Sequence, residues 1–253
     1  MKEFIREIAD NALTFGAKYV FLSPMPEDRI LAESLDEAKS IYLRGLSLKA
    51  GGLGSSKAYL GNLEFLRKIC GMEQISGADG RIELVHTEAA EDTVVKDLIF
   101  KGPRLSAQYR ATDARVATAT TTMPKTYPKD FPVTATISKA NAKELRDAVT
   151  LQSTALAKKP EECFVHVGVN RGVLTARFPY HDTGIELGLG HVEAADIETP
   201  FASEILIRVL DTATKASNEC TFSLSPMACR IQWKTDEVEF VALLPKSIIA
   251  VRA

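Results

Sequence analysis

Hydrophobic residues recur at helical spacing in four stretches of this chain, and the stretch 131–152 shows the pattern most fully. A run rich in β-branched residues, Phe131 to Ile137, predicts a strand, and Ser138 then takes the N-cap position of a helix over 138–152. Apolar residues fall on one side of this helix and basic residues on the other. By itself, that arrangement is also typical of a plain solvated surface helix.

Three further helices are predicted over 3–15, 62–71 and 201–216, each with one apolar side. Gly16 stands where a C-cap glycine would end the first helix. The residues expected to be buried by the four helices are Phe4, Ile5, Ile8, Ala12, Phe15, Leu63, Leu66, Ile69, Cys70, Ile137, Leu145, Ala148, Val149, Ile205, Leu206, Val209 and Ala213.

The remaining regular pattern is that of short strands. They are predicted at 19–22, 29–33, 41–49, 81–86, 93–100, 105–111, 163–170, 173–178, 184–189, 221–224, 229–234 and 238–243. A polar, threonine-rich segment with two prolines, 112–130, has linker composition. Each half of the chain therefore has the order helix, strands, helix, strands, which predicts two tandem domains, 1–130 and 131–253.

Composition is that of an ordinary globular protein: 253 residues, 45% hydrophobic and 25% charged. The sequence contains no apolar run long enough to span a membrane. The N-terminal pattern is that of an amphipathic helix rather than a signal peptide. The four cysteines show no CxxC spacing, so a reducing, cytoplasmic location is expected.

The net charge of -2 bears on any role with nucleic acid. A protein that holds DNA by affinity alone is usually basic, so positive charge in this chain would have to be local. Basic residues do collect on the predicted helices, mostly opposite the apolar sides. They are Lys2, Arg6, Arg67, Lys68, Lys139, Lys143, Arg146, Arg208 and Lys215. Acidic residues share these faces, which suits loose phosphate contact better than reading of base sequence.

No catalytic constellation is recognisable in the sequence. HExxH, G-x-S-x-G and Walker motifs are absent, and the glycine-rich segment 49–57 lacks the spacing of a phosphate loop. His181 and Asp182 could form an acid–base or metal pair, although they lie between two predicted strands with a turn-forming glycine nearby. No metal and no cofactor are expected.

Four segments carry a family resemblance: Arg104 to Val116, Phe131 to Leu151, Pro200 to Ala216, and Phe240 to Lys246. Over these segments the chain resembles the sliding clamps, the ring-shaped processivity factors of DNA polymerases. It most strongly resembles the clamp of T-even-type bacteriophages, with a more distant likeness to the proliferating-cell clamp of eukaryotes and archaea.

The resemblance implies an α+β fold with two inner helices and two outer antiparallel sheets in each domain. Clamp rings contain six such domains, so two per chain imply a homotrimer. The implied function is not enzymatic: the ring encircles double-stranded DNA without sequence preference and tethers a DNA polymerase after a clamp loader has placed it. The nine basic residues above would then face the DNA. The implied location is the cytoplasm, that of the bacterial host if the chain is phage-encoded.

The resemblance also implies two protein contacts. Subunits would pair the edge strand 105–111 with 173–178, through Leu105, Ala107, Tyr109, Val173, Thr175 and Arg177. Partner peptides would dock between the linker and the C-terminal end, against Met123, Tyr127, Leu244, Pro245, Ile248, Ile249 and Val251. The apolar residues after Pro245 favour a partner or a docked position, because a terminus with nothing to bury is usually polar. The alternative is that this tail folds back onto its own sheet.

Three functions therefore compete. The first is the clamp. The second is a hydrolase-type enzyme on a tandem β-rich scaffold that uses His181 and Asp182, and the third is a clamp-like scaffold that never encloses DNA.

Overall fold

A computed structural model describes residues 1–49, 51–89, 92–121, 123–124, 128–158, 162–180 and 183–247. The chain forms two compact units. Unit 1 comprises Met1–Lys125 and Thr235–Phe240, and unit 2 comprises Thr126–Lys234 and Val241–Ala253. The domain boundaries 1–130 and 131–253 stay a prediction.

In the residues that the structure describes, unit 1 contains four helices, a 3₁₀ turn at Pro26–Asp28 and seven strands of its own. In chain order the elements are α1 Lys2–Thr14, β1 Ala17–Met25, β2 Arg29–Asp36, β3 Tyr42–Ser47, β4 Ala58–Leu60, α2 Leu63–Gly71, α3 Glu73–Ser76, β5 Arg81–Ala89, β6 Asp92–Lys101, β7 Ser106–Arg110 and α4 Ala114–Thr120.

Unit 2 contains two long helices and the remaining strands. The elements are β8 Val133–Ser138, α5 Lys139–Leu156, β9 Phe164–Asn170, β10 Val173–Tyr180, β11 Thr183–His191, β12 Ile197–Ala202, α6 Ser203–Ser217, β13 Glu219–Leu224, β14 Ala228–Lys234 and β15 Val238–Pro245. The first residues of β15, up to Phe240, belong to unit 1.

Two antiparallel sheets build unit 1. One has the order β4-β1-β2-β3 and continues with the start of β15 beside β3, and the other has the order β5-β6-β7. α1 and α2 pack against each other. All the predicted apolar residues of these two helices are buried, and Gly16 ends α1 with a φ of +78°, a conformation that costs glycine little.

Unit 2 repeats this organisation. Its strands form β8-β13-β14, continued by the end of β15, and β11-β10-β9-β12. The N-cap prediction at Ser138 is confirmed, because its hydroxyl accepts from the Asn141 backbone N–H at 3.2 Å while the Asn141 side chain accepts from the Ser138 N–H. Gln152, buried on α5, donates to the carbonyls of Phe164 and Pro179 at 3.0 and 2.9 Å and thereby ties α5 to β9 and β10.

Several predictions of local structure were wrong or incomplete: the short helix α3 was not predicted, and Ile205, expected in the core, is half-buried. The segment 112–130 is not only a linker, because α4 forms within it, capped by the Asp113 carboxylate that accepts from the Arg115 N–H at 2.8 Å. Two strands were missed: β4 is only three residues long, and β12 contains Pro200, which a strand pattern tolerates only at an edge. The last long helix begins at Ser203 rather than Phe201, because Phe201 and Ala202 pair with β9.

Candidate nucleic-acid interface

In unit 1, the four predicted basic residues differ in how free their charges are. Lys2 donates to the carbonyl of Gly77, and Arg6 is half-buried. Arg67 on α2 forms an ion pair with Asp10 on α1, its Nε lying 3.8 Å from Oδ1. Lys68 is exposed.

In unit 2, the two arginines are held more firmly. Arg146 on α5 grips Asp211 on α6 through two hydrogen bonds, one of them from Nε to Oδ2 at 2.8 Å. This contact raises the pKa of the Arg146 guanidinium. Arg208 pairs with Glu204 one turn earlier on the same helix.

The structure thus separates exposed lysines from ion-paired arginines, which the sequence analysis treated alike. Within the described residues, four of the predicted lysines form no ion pair with a carboxylate and are exposed to solvent. They are Lys68, Lys139, Lys143 and Lys215. These side chains are available to an external anion, and the role of all nine residues in DNA contact stays a prediction.

The acidic residues of α1 shape the electrostatics of unit 1. Burial raises the pKa of Glu7, while the Thr235 hydroxyl that donates to it at 2.6 Å opposes the shift and nearby Glu237 adds to it. Burial likewise raises the pKa of Asp10, against the opposing effect of Arg67 and Arg6. Both carboxylates therefore carry a desolvation cost on the same helix as Arg6.

The residues predicted to pair subunits need correction. β10 is hydrogen-bonded on both sides, since Thr175 pairs with Gly168 of β9 and with Gly188 of β11, so Val173, Thr175 and Arg177 cannot form a free edge. Alternating residues predict a strand, but they do not reveal its place in the sheet. The edge strands of this sheet are β11 and β12.

The other half of that prediction stands in part. β7 is an edge strand of its sheet, and Leu105 and Ala107 are half-buried there. Tyr109, however, is only 2% exposed, and its hydroxyl donates to the Gly61 carbonyl. Its side chain is part of the core of unit 1, which also raises the pKa of the phenol, and it cannot contact a second subunit directly.

The predicted peptide-docking residues also divide. Leu244 is 2% exposed and belongs to the core, because it lies within β15, so it is not a surface anchor. Pro245 is exposed and Met123 is half-buried. Tyr127, Ile248, Ile249 and Val251 lie outside the described residues.

Sequence reasoning missed one exposed apolar side chain in this region. Met227, at the β13–β14 turn, is 55% exposed. Its carbonyl accepts from the Lys246 N–H at 2.8 Å, and the Ser247 N–H donates to Pro200 at 2.9 Å. The end of β15 therefore lies beside Met227. The Ser225-Pro226-Met227 turn was the available signal, since a methionine in a turn has little to bury it.

The hydrolase alternative relied on His181 and Asp182, and both lie outside the described residues. Among the described residues, no group of three or more His, Cys, Asp or Glu side chains is placed to hold a metal ion. No helix described here is long and apolar enough to cross a membrane. Burial raises the pKa of the Cys70 and Cys220 thiols to about 12, which keeps them protonated and unreactive.

No protein-family model matches the sequence, and no curated protein does. Solved structures match it over nearly its whole length. Proliferating cellular nuclear antigen from Entamoeba histolytica aligns with a TM-score of 0.62 and 12% identity, covering 98% of this chain and 96% of that chain. A. fulgidus PCNA bound to the C-terminal region of FEN-1 aligns with a TM-score of 0.65 and 10% identity, with coverages of 98% and 96%. The PCNA2-PCNA3 complex from Sulfolobus tokodaii aligns with a TM-score of 0.61 and 11% identity, covering 97% of this chain and 96% of that chain.

The likeness confirms the predicted fold class. The chain is an α+β protein with the DNA-clamp fold, built from antiparallel sheets and few helices. The identities of 10–12% are those of a shared fold.

The electrostatics of α1 generate a prediction for pH dependence. Burial gives the Glu7 carboxyl a higher pKa in the folded than in the unfolded state, so at pH values between the two it releases its proton on unfolding. The free energy of unfolding therefore falls as pH rises from the unfolded pKa through the folded pKa. Glu7→Gln keeps an acceptor for Thr235 and removes that titration. We expect the variant to gain stability relative to wild type as pH rises from about 4.5 to neutrality.

Chemical denaturation at several pH values would measure this effect. Glu64→Gln, on the exposed face of α2, is the matched control and should leave the pH profile unchanged. Parallel profiles for Glu7→Gln and wild type would show that burial of Glu7 costs the fold nothing.

Proposed function

We propose that this protein is a sliding clamp: a homotrimeric ring that encircles double-stranded DNA and tethers a DNA polymerase. The observation that carries the proposal is the likeness to clamp structures over 98% of the chain and 96% of the matched chain, which includes both repeats of elements. The function is that of a platform rather than an enzyme. A clamp loader would place it on DNA, and a T-even-type phage origin remains part of the proposal, as does a cytoplasmic location.

Two of the edge strands, β7 and β11, support assembly into a ring. β3 in unit 1 has β2 on one side and the start of β15, the last strand of the chain, on the other. β11 is the corresponding strand of unit 2, the third strand after α5. Within the described residues, however, only β10 pairs with it. Among the residues that the structure describes, the edge strand β7 of unit 1 likewise pairs only with β6. Pairing of β7 with β11 of the next copy would satisfy both edges.

The exposed lysines support the contact with DNA. Lys139 and Lys143 lie one turn apart on α5 and are free of ion pairs to described carboxylates. A lysine ammonium is a mobile point charge, so it can follow phosphates without fixing a register. In a closed ring, topology retains the DNA, and weak contacts leave the ring free to move. This reasoning also accounts for a net charge of -2.

The surface around Met227 supports a docking site for partners. One of the similar structures is A. fulgidus PCNA with the C-terminal region of FEN-1 bound. In the present chain Met227 and Pro245 are exposed beside the end of β15, and the apolar residues 248, 249 and 251 follow in the sequence. We infer that a polymerase or loader peptide docks here.

The first test reverses charge on α5. Lys139→Glu with Lys143→Glu should weaken binding to duplex DNA and lower polymerase stimulation at raised salt, although each contact contributes only about 0–1 kcal/mol. The matched control is Lys129→Glu with Lys234→Glu, which makes the same charge change outside the helices. Equal loss in both double variants would contradict a specific role for α5.

The second test concerns ring closure. A proline at Gln108 in β7 removes a backbone donor and blocks close approach of a neighbouring strand, so Gln108→Pro should shift the molecular mass from trimer to monomer. Glu88→Pro, on the opposite edge strand of the same sheet and with an N–H that likewise points away from β6, should remain trimeric. Light scattering after gel filtration measures the mass, and circular dichroism confirms folding. A trimer for both folded variants would move the interface elsewhere.

The third test concerns partner docking. Met227→Ala should weaken binding of a polymerase C-terminal peptide by about 2 kcal/mol, the usual loss for a central apolar anchor. Met25→Ala, at another exposed turn methionine, should leave affinity unchanged. Calorimetric titration of the peptide against both variants and wild type decides the matter, and equal affinities for all three would exclude Met227 from the site.

A further inference from the structure

We propose that Asp10 and Asp211 hold Arg67 and Arg146 away from DNA phosphates, so that the sliding contact is left to lysines. This inference rests on the proposed clamp function and adds a regulating element to the same surface. It gives a role to carboxylates that lie among the residues predicted to bind an anion.

The geometry is clearest in unit 2. Asp211 on α6 accepts two hydrogen bonds from the Arg146 side chain on α5, and the pair bridges the two helices. The Arg146 side chain remains 53% exposed and that of Asp211 is 30% exposed. The arginine is therefore within reach of solvent, but its guanidinium is already bound to a carboxylate. That carboxylate accepts the same pair of hydrogen bonds that a phosphate would accept.

Unit 1 has a looser counterpart with the partners exchanged, an ion pair that is longer than a hydrogen bond. Here the carboxylate, Asp10, is on the first helix and the arginine, Arg67, is on the second, at 3.8 Å. Burial raises the pKa of Asp10 and the two nearby arginines oppose this effect. A cross-helix arginine–aspartate pair thus occurs in each unit, whereas Arg208 pairs within its own helix.

The chemistry of the two cations explains why this division suits a sliding ring. Arginine binds phosphate through two parallel hydrogen bonds with fixed directions, so each contact favours one register on the duplex. Lysine binds as a point charge on a flexible stem and has no such preference. Occupying the arginines with carboxylates removes the directional contacts and keeps the non-directional ones.

The charge balance of the helices agrees with a surface that makes weak contacts. α1, α2, α5 and α6 together carry nine basic and eight acidic residues, so the predicted contact surface is close to neutral. A surface selected for affinity would lack most of these acids. The acids matter most where they bind the arginines directly.

The experiment neutralises one carboxylate. Asp211→Asn should free Arg146, tighten binding to a short linear duplex, and steepen the plot of log affinity against log salt by about 0.9 for each arginine that reaches a phosphate. That change of slope corresponds to about a threefold additional gain in DNA affinity per arginine when the salt concentration falls fourfold. Diffusion of the loaded ring on end-blocked DNA should slow accordingly.

Two controls make the result specific. Glu88→Gln removes one negative charge from an exposed strand position and should leave the salt slope unchanged. Arg146→Gln combined with Asp211→Asn should return the slope to the wild-type value, because the freed guanidinium is then missing. If Asp211→Asn does not fold, Asp10→Asn makes the same test through Arg67.

The outcomes are distinguishable. A slope for folded Asp211→Asn equal to that of Glu88→Gln, or a gain that persists in the double variant, overturns the inference. Retention of the wild-type protein on circular but not linear DNA is measured separately, and its failure overturns the proposed function instead.

Discussion

Burial of one apolar stripe on each long helix is the constraint on which the rest of the structure depends. α1, α2, α5 and α6 each place one apolar side in the core, where Phe4, Leu66, Leu145 and Leu206 are all at most 2% exposed, while Phe65 and Leu151 remain exposed. The charged residues of these helices are then left on the remaining sides, because burying an unpaired charge is costly. The candidate interface is therefore a consequence of how the helices pack, and the sequence pattern that predicts the core also locates the charges.

This explains why helices were predictable and sheet positions were not. Periodicity in a short window identified all four long helices, and Ser138 marked the start of α5 because capping is a local interaction. By contrast, β10 and β11 have similar alternating patterns, yet one is central and the other is an edge. Strand order follows from contacts between distant residues, so the assignment of Val173, Thr175 and Arg177 to an edge was wrong.

The candidate site shows the same limit. The sequence placed the nine basic residues on helix faces. It could not show that Arg146 is bound to Asp211, 65 residues away, while Lys139 and Lys143 form no ion pair with a described carboxylate. It also placed Leu244 and Tyr109 at surfaces, although each is in the core. A tyrosine on an edge strand looks like an interface residue until its hydroxyl finds a buried carbonyl, here that of Gly61.

The low identity to the similar clamp structures indicates what the fold requires. At 10–12% identity, few side chains are shared, yet the alignment covers nearly all of each chain. The present chain specifies the fold through apolar stripes on its helices and alternation along its strands. Such a pattern can be met by many sequences, because cores tolerate changes that preserve volume and periodicity. Functional residues must therefore be found from the geometry of this chain, where the free lysines and the occupied arginines are already distinct.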